Sequence, residues 1–545
     1  MEDSIWSGCS DETRKKAVKG MVTEKEMTLL TCLRRYPKAI AWSMLIFLTV
    51  VMEAFDKLLI TGLFALPTFN RRFGEPTPTP NTSLDFSISP TWQMGLQNAA
   101  IASEITGLLA YGYVTNVTGY RKMMLAALAW ICVAVIPAFV ATNLAAILVA
   151  QVMSGVSWGI IQTLAATYAA EIVPSLLRAF LLSNINTCWL LGQLIGTGIL
   201  RGFAPHESEW SYRLPFALQW AWAVPLLVGI VFAPDSPWRN TGWFIRHDKP
   251  DDARRALCRL SSQDSLDIDN AVAVMQHTNT VERNLNYGRS TYADLFKGVN
   301  RRRTEIACMA WVCQALSGAA LTSYAPYFFE QTGFSPLKSF TFSTAMYGVA
   351  LGGGMLCWAL IPYVGRRMLY LIGLSSSTVL LTAGGITWVL TSGKPGANWA
   401  LGGLIVATTL LYNLTIGPVC YVLIAEVPAT RLRVQTVALA RVAYNLVTIA
   451  NNILLPLMLN PKGWSWSGKA CFVYAATSAL CLVWCYFRLP ETRGLSYLEL
   501  DILFELKAPS KKFAIFQKKL NDSPYVTASA AERLTNPWHG WLAYS

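Results

Sequence analysis

Residues 39–69 read AIAWSMLIFLTVVMEAFDKLLITGLFALPTF, one apolar run with Glu53 and Asp56 near its middle. An ionised carboxylate at the centre of a bilayer costs roughly 2.5 to 3.5 kcal/mol even on an insertion scale, so such a residue faces a protein interior or a water-filled cavity rather than lipid. A spacing of three puts both acids on one helical face. Lys57 beside them either compensates part of their charge or snorkels elsewhere. The rest of the chain must supply a polar interior for this face.

The composition is that of a membrane protein. Of 545 residues, 53% are hydrophobic and only 14% charged, and the mean hydropathy is +0.36, too apolar for a soluble protein of this length. Crossing about 30 Å of hydrocarbon takes about 20 apolar residues. Runs of that kind fall near 39–66, 94–115, 123–141, 144–166, 180–200 and 215–233. After a polar, charge-dense interval, six more fall near 306–329, 339–361, 368–391, 399–424, 434–458 and 469–487. This pattern predicts an all-α polytopic membrane protein with twelve transmembrane helices, six and six. The expected division is an N-terminal tail over 1–38, a six-helix bundle over 39–233, a central loop with short helices over 234–303, a second bundle over 304–487 and a C-terminal tail over 488–545.

Basic residues in short loops set the orientation. Arg34, Arg35, Lys38, Arg121, Lys122, Arg178, Arg301 to Arg303, Arg366, Arg367, Arg431 and Arg433 all fall on one side, against Arg71, Arg72, Arg201 and Lys394 on the other. Both tails and the central loop are therefore expected in the cytosol, and the first 38 residues contain no apolar core of the signal-peptide kind. The formal charge of +13 is the bias of a cytosolic membrane face and calls for no nucleic acid. The twelve cysteines are scattered and the four histidines stand at no metal-ligand spacing, so neither a metal nor an organic cofactor is expected. Between the first two spans, Asn81-Thr82-Ser83 would be a glycosylation acceptor on the outside.

The second span adds another intramembrane acid, Glu104, within an apolar run. Three acids in two spans point to a functional interior. The halves also repeat. Glu171-Ile-Val-Pro-Ser-Leu-Leu-Arg178 after span 4 is echoed by Glu426-Val-Pro-Ala-Thr-Arg-Leu-Arg433 after span 10, Gly119-Tyr-Arg-Lys122 by Gly365-Arg-Arg-Met368, and Pro234-Asp-Ser-Pro237 by Pro490-Glu-Thr-Arg493. Two pseudo-symmetric bundles follow from this. Acids and arginines at these turns (Arg121, Glu171, Arg178, Arg366, Arg367, Glu426, Arg433) are candidates for a cytosolic latch that holds one half against the other while that side is closed. Their plainer role is to fix topology.

With these motifs the chain resembles the sugar porter family of the major facilitator superfamily, and within it the fungal maltose and general α-glucoside permeases. The resemblance runs from about Arg34 to Leu500. It is carried by Ser157-Trp-Gly-Ile-Ile-Gln-Thr-Leu164 leading to Tyr168-Ala-Ala-Glu171, and by Asn186-Thr-Cys-Trp-Leu-Leu-Gly-Gln193, Tyr327-Phe-Phe-Glu-Gln-Thr-Gly333, Gly417-Pro-Val-Cys-Tyr421 and Pro490-Glu-Thr-Arg-Gly-Leu-Ser496. It implies two six-helix bundles, alternating access and proton-coupled uptake of a maltose-like sugar at the plasma membrane by a monomer, with the proton as co-transported ion.

Carried over position by position, the embedded charge cluster of that branch falls on Glu53, Asp56, Glu104 and Arg441, and the family's sugar contacts fall on Asn186, Gln193, Gln314, Tyr421, Tyr444 and Asn445. Amides offer fixed donors and acceptors for hydroxyls, and an aromatic ring covers the apolar face of a sugar. Single intramembrane amides also serve as glue between helices. Desolvation and mutual repulsion oppose ionisation of the three acids while Arg441 favours it, so a rocking motion that brings Arg441 closer would expel a proton. The chain departs from the family at Asn116, at Gly119-Tyr-Arg121 and at Arg239-Asn-Thr-Gly242, positions that bear on the latch and not on the cavity. Other readings of the same fold are an exporter or carrier of another small polar metabolite, a facilitative hexose transporter and a nutrient sensor. No constellation of nucleophile, base and oxyanion donors supports an enzyme.

The charge asymmetry makes a direct prediction: a tag at either terminus or within 234–303 is inaccessible to antibody outside intact cells, and external labelling of any of the three overturns the orientation.

Overall fold

The computed structural model describes chiefly residues 29–76, 86–172, 175–233, 292–391, 396–429, 432–460, 463–495 and 497–510. Twelve long helices follow in order: α1 (Pro37–Leu63), α2 (Pro90–Thr118), α3 (Tyr120–Phe139), α4 (Leu144–Ile172), α5 (Ser175–Phe203), α6 (Trp210–Val231), α7 (Gly298–Ser323), α8 (Pro336–Leu360), α9 (Arg366–Thr391), α10 (Ala397–Glu426), α11 (Arg433–Leu459) and α12 (Ala470–Arg488). Proline at the first turn of α1 and α8 suits helix starts, where its missing N–H has no partner to lose. A two-stranded ribbon, β1 (Glu75–Pro76) against β2 (Phe86–Ser87), closes the base of the loop after α1. Asn81, Asn116 and most of the central interval including Arg239 to Gly242 lie outside the described residues or side chains.

Large apolar side chains such as Phe232, Val379, Leu390 and Leu480 stand exposed on the outer faces, where a bilayer takes the place of water. In the first half α2 packs on α4, α1 on α5, and α3 on α4 and α6. In the second, α9 packs on α12 and α10, and α7 on α11. The halves meet where α5 lies against α8 and where α2 lies against α11. Two apolar clusters, one containing Trp158, Leu164, Tyr421 and Ile424 and the other Leu58, Phe64, Tyr324 and Leu455, each draw residues from both halves.

Backbone approach between α2 and α4 is close enough to require glycine. A Cβ on Gly155 would fall 2.2 Å from the Ala100 carbonyl oxygen, and one on Gly159 would fall 2.4 Å from that of Glu104. The crossing thereby fixes the height of Glu104 in the bundle. The second half also contains broken helices. In α7 a π turn over Ala315–Ala319 carries Gly318 at φ +97°, and the freed carbonyls are taken up by Asn451 Nδ2, 3.1 Å from Ala315 O, and Thr477 Oγ1, 2.7 Å from Leu316 O. In α10 the chain breaks at Thr415. Irregular backbone survives at membrane depth only where protein or a cavity satisfies it.

One boundary differs from the pattern of apolar runs. Helix α7 begins at Gly298, several residues inside the interval assigned to the central loop, because its first turns are basic and polar rather than apolar. The beginning of the C-terminal segment docks on those turns: Arg303 pairs with Asp501 at 2.5 Å and lies 4.5 Å over the Phe504 ring, while Arg302 donates to Ala508 O and Ser510 Oγ at 2.8 Å each. Leu500, Leu503 and Phe504 are buried there.

Because added volume at a backbone contact costs about 1 to 3 kcal/mol, Gly159→Val lowers the apparent unfolding temperature of the detergent-purified protein by several degrees. Gly198→Ala, where a Cβ meets nothing within 4 Å, leaves it unchanged. An unchanged melting curve for Gly159→Val overturns the close crossing.

Candidate functional site: a charged cavity between the halves

The helical spacing that puts Glu53 and Asp56 on one face of α1 also sets Lys57 one turn beyond Glu53. Glu53 is fully buried, Glu104 is 1% exposed and Asp56 2%. The Lys57 ammonium sits 2.8 Å from Glu53 Oε1 and 2.8 Å from Glu104 Oε2, tying α1 to α2. It also lies 5.3 Å from the ring centroids of both Trp158 and Trp189. Arg441 reaches the other oxygen of Glu104, Oε1, at 3.5 Å, and its guanidinium lies over Trp311 and Tyr444 at 4.5 and 4.3 Å. Glu104 is thus held by a cation from each half. Asp56 stands apart. Trp158 Nε1 donates to its Oδ2 at 3.4 Å, and Oδ1 has no hydrogen-bond partner.

Of the two readings of Lys57 open in the sequence, the structure supports compensation: it is a bridge, not a snorkelling side chain. A charge buried in low dielectric is tolerable only when paired, and removing one partner costs about 3 to 5 kcal/mol. Burying Glu53 and Glu104 therefore depends on two cations, one of which no motif flagged.

Above this cluster lies a cavity of about 130 Å³. Lys57, Glu104, Gln193, Arg441, Tyr444 and Asn445 line it, with Trp158 and Trp189 on one wall and Ala315, Ala319 and Ala320 of α7 on another. Gln97, Gln151, Thr448, Asn451 and Asn452 add amides and a hydroxyl that sequence reasoning missed. The signal was present, since Gln97-Asn98 and Asn451-Asn452 are amide pairs inside apolar runs.

Three of the six expected sugar contacts reach this cavity: Gln193, Tyr444 and Asn445. Asn186 does not; its amide donates to Asn413 Oδ1 at 3.0 Å, joining α5 to α10 across the halves as glue. Tyr421 sits edge-on to Trp311, 6.1 Å between centroids, and lines a small separate crevice with Thr167 and Arg433. Gln314 is buried next to the π turn and is not among the lining residues.

The charged turns are also sorted by the fold. Arg366 pairs with Glu426 at 3.3 Å, Thr492 donates to Glu426 at 2.6 Å, and Glu491 accepts the backbone N–H groups of Arg366 and Arg367 at 2.8 and 3.2 Å. Arg367 also donates to Tyr486 O at 2.7 Å. All of these contacts lie inside the second half. Arg121 donates to Val231 O inside the first half. These contacts of Arg121, Arg366 and Arg367 tie helix ends within one half. Arg433 lies beside Ala166 and Thr167 of the other half, and the side chains of Glu171 and Arg178 lie outside the described residues.

The sequence profile of the "Sugar (and other) transporter" family matches residues 42–504. The chain belongs to that family. It is 39% identical over 498 residues to the general alpha-glucoside permease of Saccharomyces cerevisiae, covering 90% of this chain and 79% of that protein. It is 36% identical over 528 residues to the maltose permease MAL31 of the same yeast, covering 96% and 84%. Among solved structures, the proton:xylose symporter XylE of E. coli bound to 6-bromo-6-deoxy-D-glucose superposes with a TM-score of 0.71 at 20% identity, covering 86% of this chain and 99% of that one. The fold is accordingly that of the major facilitator superfamily with twelve spans, and the protein is a multi-pass membrane transporter of small polar solutes, not an enzyme.

The cavity geometry separates two amides that the sequence could not. An unmated buried hydrogen-bonding group costs about 1 to 3 kcal/mol, so Gln193→Ala raises the Kd for the bound solute at least fivefold by tryptophan fluorescence, while Gln314→Ala changes it less than twofold. Equal effects would mean that the pocket extends past the π turn.

Proposed function

We propose that this protein is a proton-coupled symporter of an α-glucoside such as maltose at the plasma membrane, with both termini in the cytosol. One observation carries this reading: Glu104 of the first half and Arg441 of the second share a buried ion pair at the cavity wall. When the halves rock, that distance changes. The charge balance of the buried cluster then changes, and a carboxyl of that cluster gains or loses a proton with it. The α-glucoside assignment is supported by the permeases of 39% and 36% identity, and by an α7 wall of three alanines that leaves room beside the aromatic wall. Cavity amides meet hydroxyls, while Trp158, Trp189 and Tyr444 offer ring faces.

One charge crossing 100 mV is worth about 2.3 kcal/mol, enough for roughly a fifty-fold sugar gradient. A facilitative carrier concentrates nothing. Uptake of radiolabelled maltose, sucrose and glucose in a transporter-null yeast, with and without an uncoupler, distinguishes the two and ranks the sugars. Because Lys57 belongs to the cluster, the charge-free variant is Glu53→Gln, Asp56→Asn, Lys57→Gln, Glu104→Gln and Arg441→Gln together. It equilibrates sugar without accumulating it, and sugar no longer alkalinises the medium. Uncoupler-sensitive accumulation by that variant would show that the cluster is structural.

A further inference from the structure

The buried cluster contains three carboxylates and two cations. Glu53 and Glu104 share Lys57, and Glu104 also meets Arg441, so these four side chains form a neutral set. Asp56 is the one left over. It is 2% exposed, makes no ion pair among the described residues, and has Oδ1 without a hydrogen-bond partner. The groups that face this region are Glu53, Asp56 and Lys57 from α1, Glu104 from α2, Arg441 and Tyr444 from α11, Tyr421 from α10, and the indoles of Trp158 on α4 and Trp189 on α5. None of the aromatic groups supplies a third cation. A lone carboxylate at that depth is retained by taking up a proton rather than by carrying its charge.

We propose that Lys57 sets the number of protons moved with each sugar: by neutralising Glu53 and Glu104 it leaves Asp56 as the single carboxyl that is loaded and unloaded in the cycle. This rests on the symport reading above and adds its stoichiometry. The proton comes from water on the side where the cavity is open, forms an O–H bond to an Asp56 carboxylate oxygen, and returns to water on the opposite side. No other bond changes. Lys57 acts through the acids and is a positioning residue. Its four-carbon stem places one ammonium within 2.8 Å of acids on two helices, and the cavity edge gives it 22% side-chain exposure.

Counting charges then predicts each variant. Without Lys57, Arg441 still pairs with Glu104, but Glu53 joins Asp56 as an acid with no cation, and two protons accompany each sugar. Without the Asp56 carboxyl, nothing is left to load. Removing both leaves Glu53 as the single unpaired acid, and coupling returns.

The test uses the full chain in proteoliposomes, with the proton-to-maltose ratio read from the membrane potential that balances a set maltose gradient, and counterflow of labelled maltose as the check that a variant still binds and rocks. The wild type and Lys57→Arg give one proton, Lys57→Gln gives two, Asp56→Asn gives none with counterflow retained, and Asp56→Asn with Lys57→Gln gives one. At 100 mV the limiting accumulation of Lys57→Gln rises from about fifty-fold to about the square of that. A coupled wild type whose ratio is unchanged in Lys57→Gln overturns the Lys57 assignment alone. So does an Asp56→Asn variant that still accumulates sugar, or a double variant that exchanges sugar without coupling; both leave the symport reading standing. A wild type that moves no proton with its sugar overturns the symport reading itself.

Discussion

Burying charge in a medium that cannot solvate it is the constraint on which the centre of this protein depends. Glu53, Glu104, Lys57 and Arg441 come from three helices and both halves, and each is tolerable at that depth only because the others are there. The surrounding structure serves that requirement. Gly155 and Gly159 let α2 sit against α4 so that Glu104 reaches Lys57. Trp158, Trp189, Trp311 and Tyr444 face the two cations with π surfaces, which add attractive partners to the carboxylates.

The cluster also joins energetics to movement. Interactions at helix ends such as Arg366 with Glu426 and Arg303 with Asp501 lie within the second half and its docked C-terminal segment. These hold that half as a rigid body. The pair between Glu104 and Arg441 and the amide contact between Asn186 and Asn413 cross between halves. A rigid-body rotation therefore leaves the first kind intact and strains the second, which places the sensitivity to conformation at the same depth as the cavity. Broken helices at Ala315–Ala319 and Thr415 add backbone that can shift while neighbouring side chains satisfy it.

Much of this was legible in the residues. Twelve apolar runs, their six-and-six grouping and the repeated turn motifs needed only the thickness of a bilayer and the period of a helix. The three acids stood out because charge inside an apolar run is expensive, and Arg441 came with the family resemblance. The contacts assigned by resemblance divided evenly: Gln193, Tyr444 and Asn445 line the cavity, whereas Asn186, Gln314 and Tyr421 do not. An amide in a span reads the same whether it faces a solute or another amide, since the sequence reports polarity and not the neighbour that satisfies it.

Local patterning by itself determined that the chain spans a membrane, that it is doubled, and that its first span must turn toward a polar interior. These follow from interactions between residues a few positions apart, which hydrophobic periodicity records. Only the tertiary structure decided that Lys57 bridges Glu53 to an acid 47 positions further on, that Asp56 has no cation paired with it among the described residues, and that Arg366 pairs with Glu426 inside one half. Charge pairing acts over a few ångströms in space, and helix crossings bring residues from distant parts of the chain within that range.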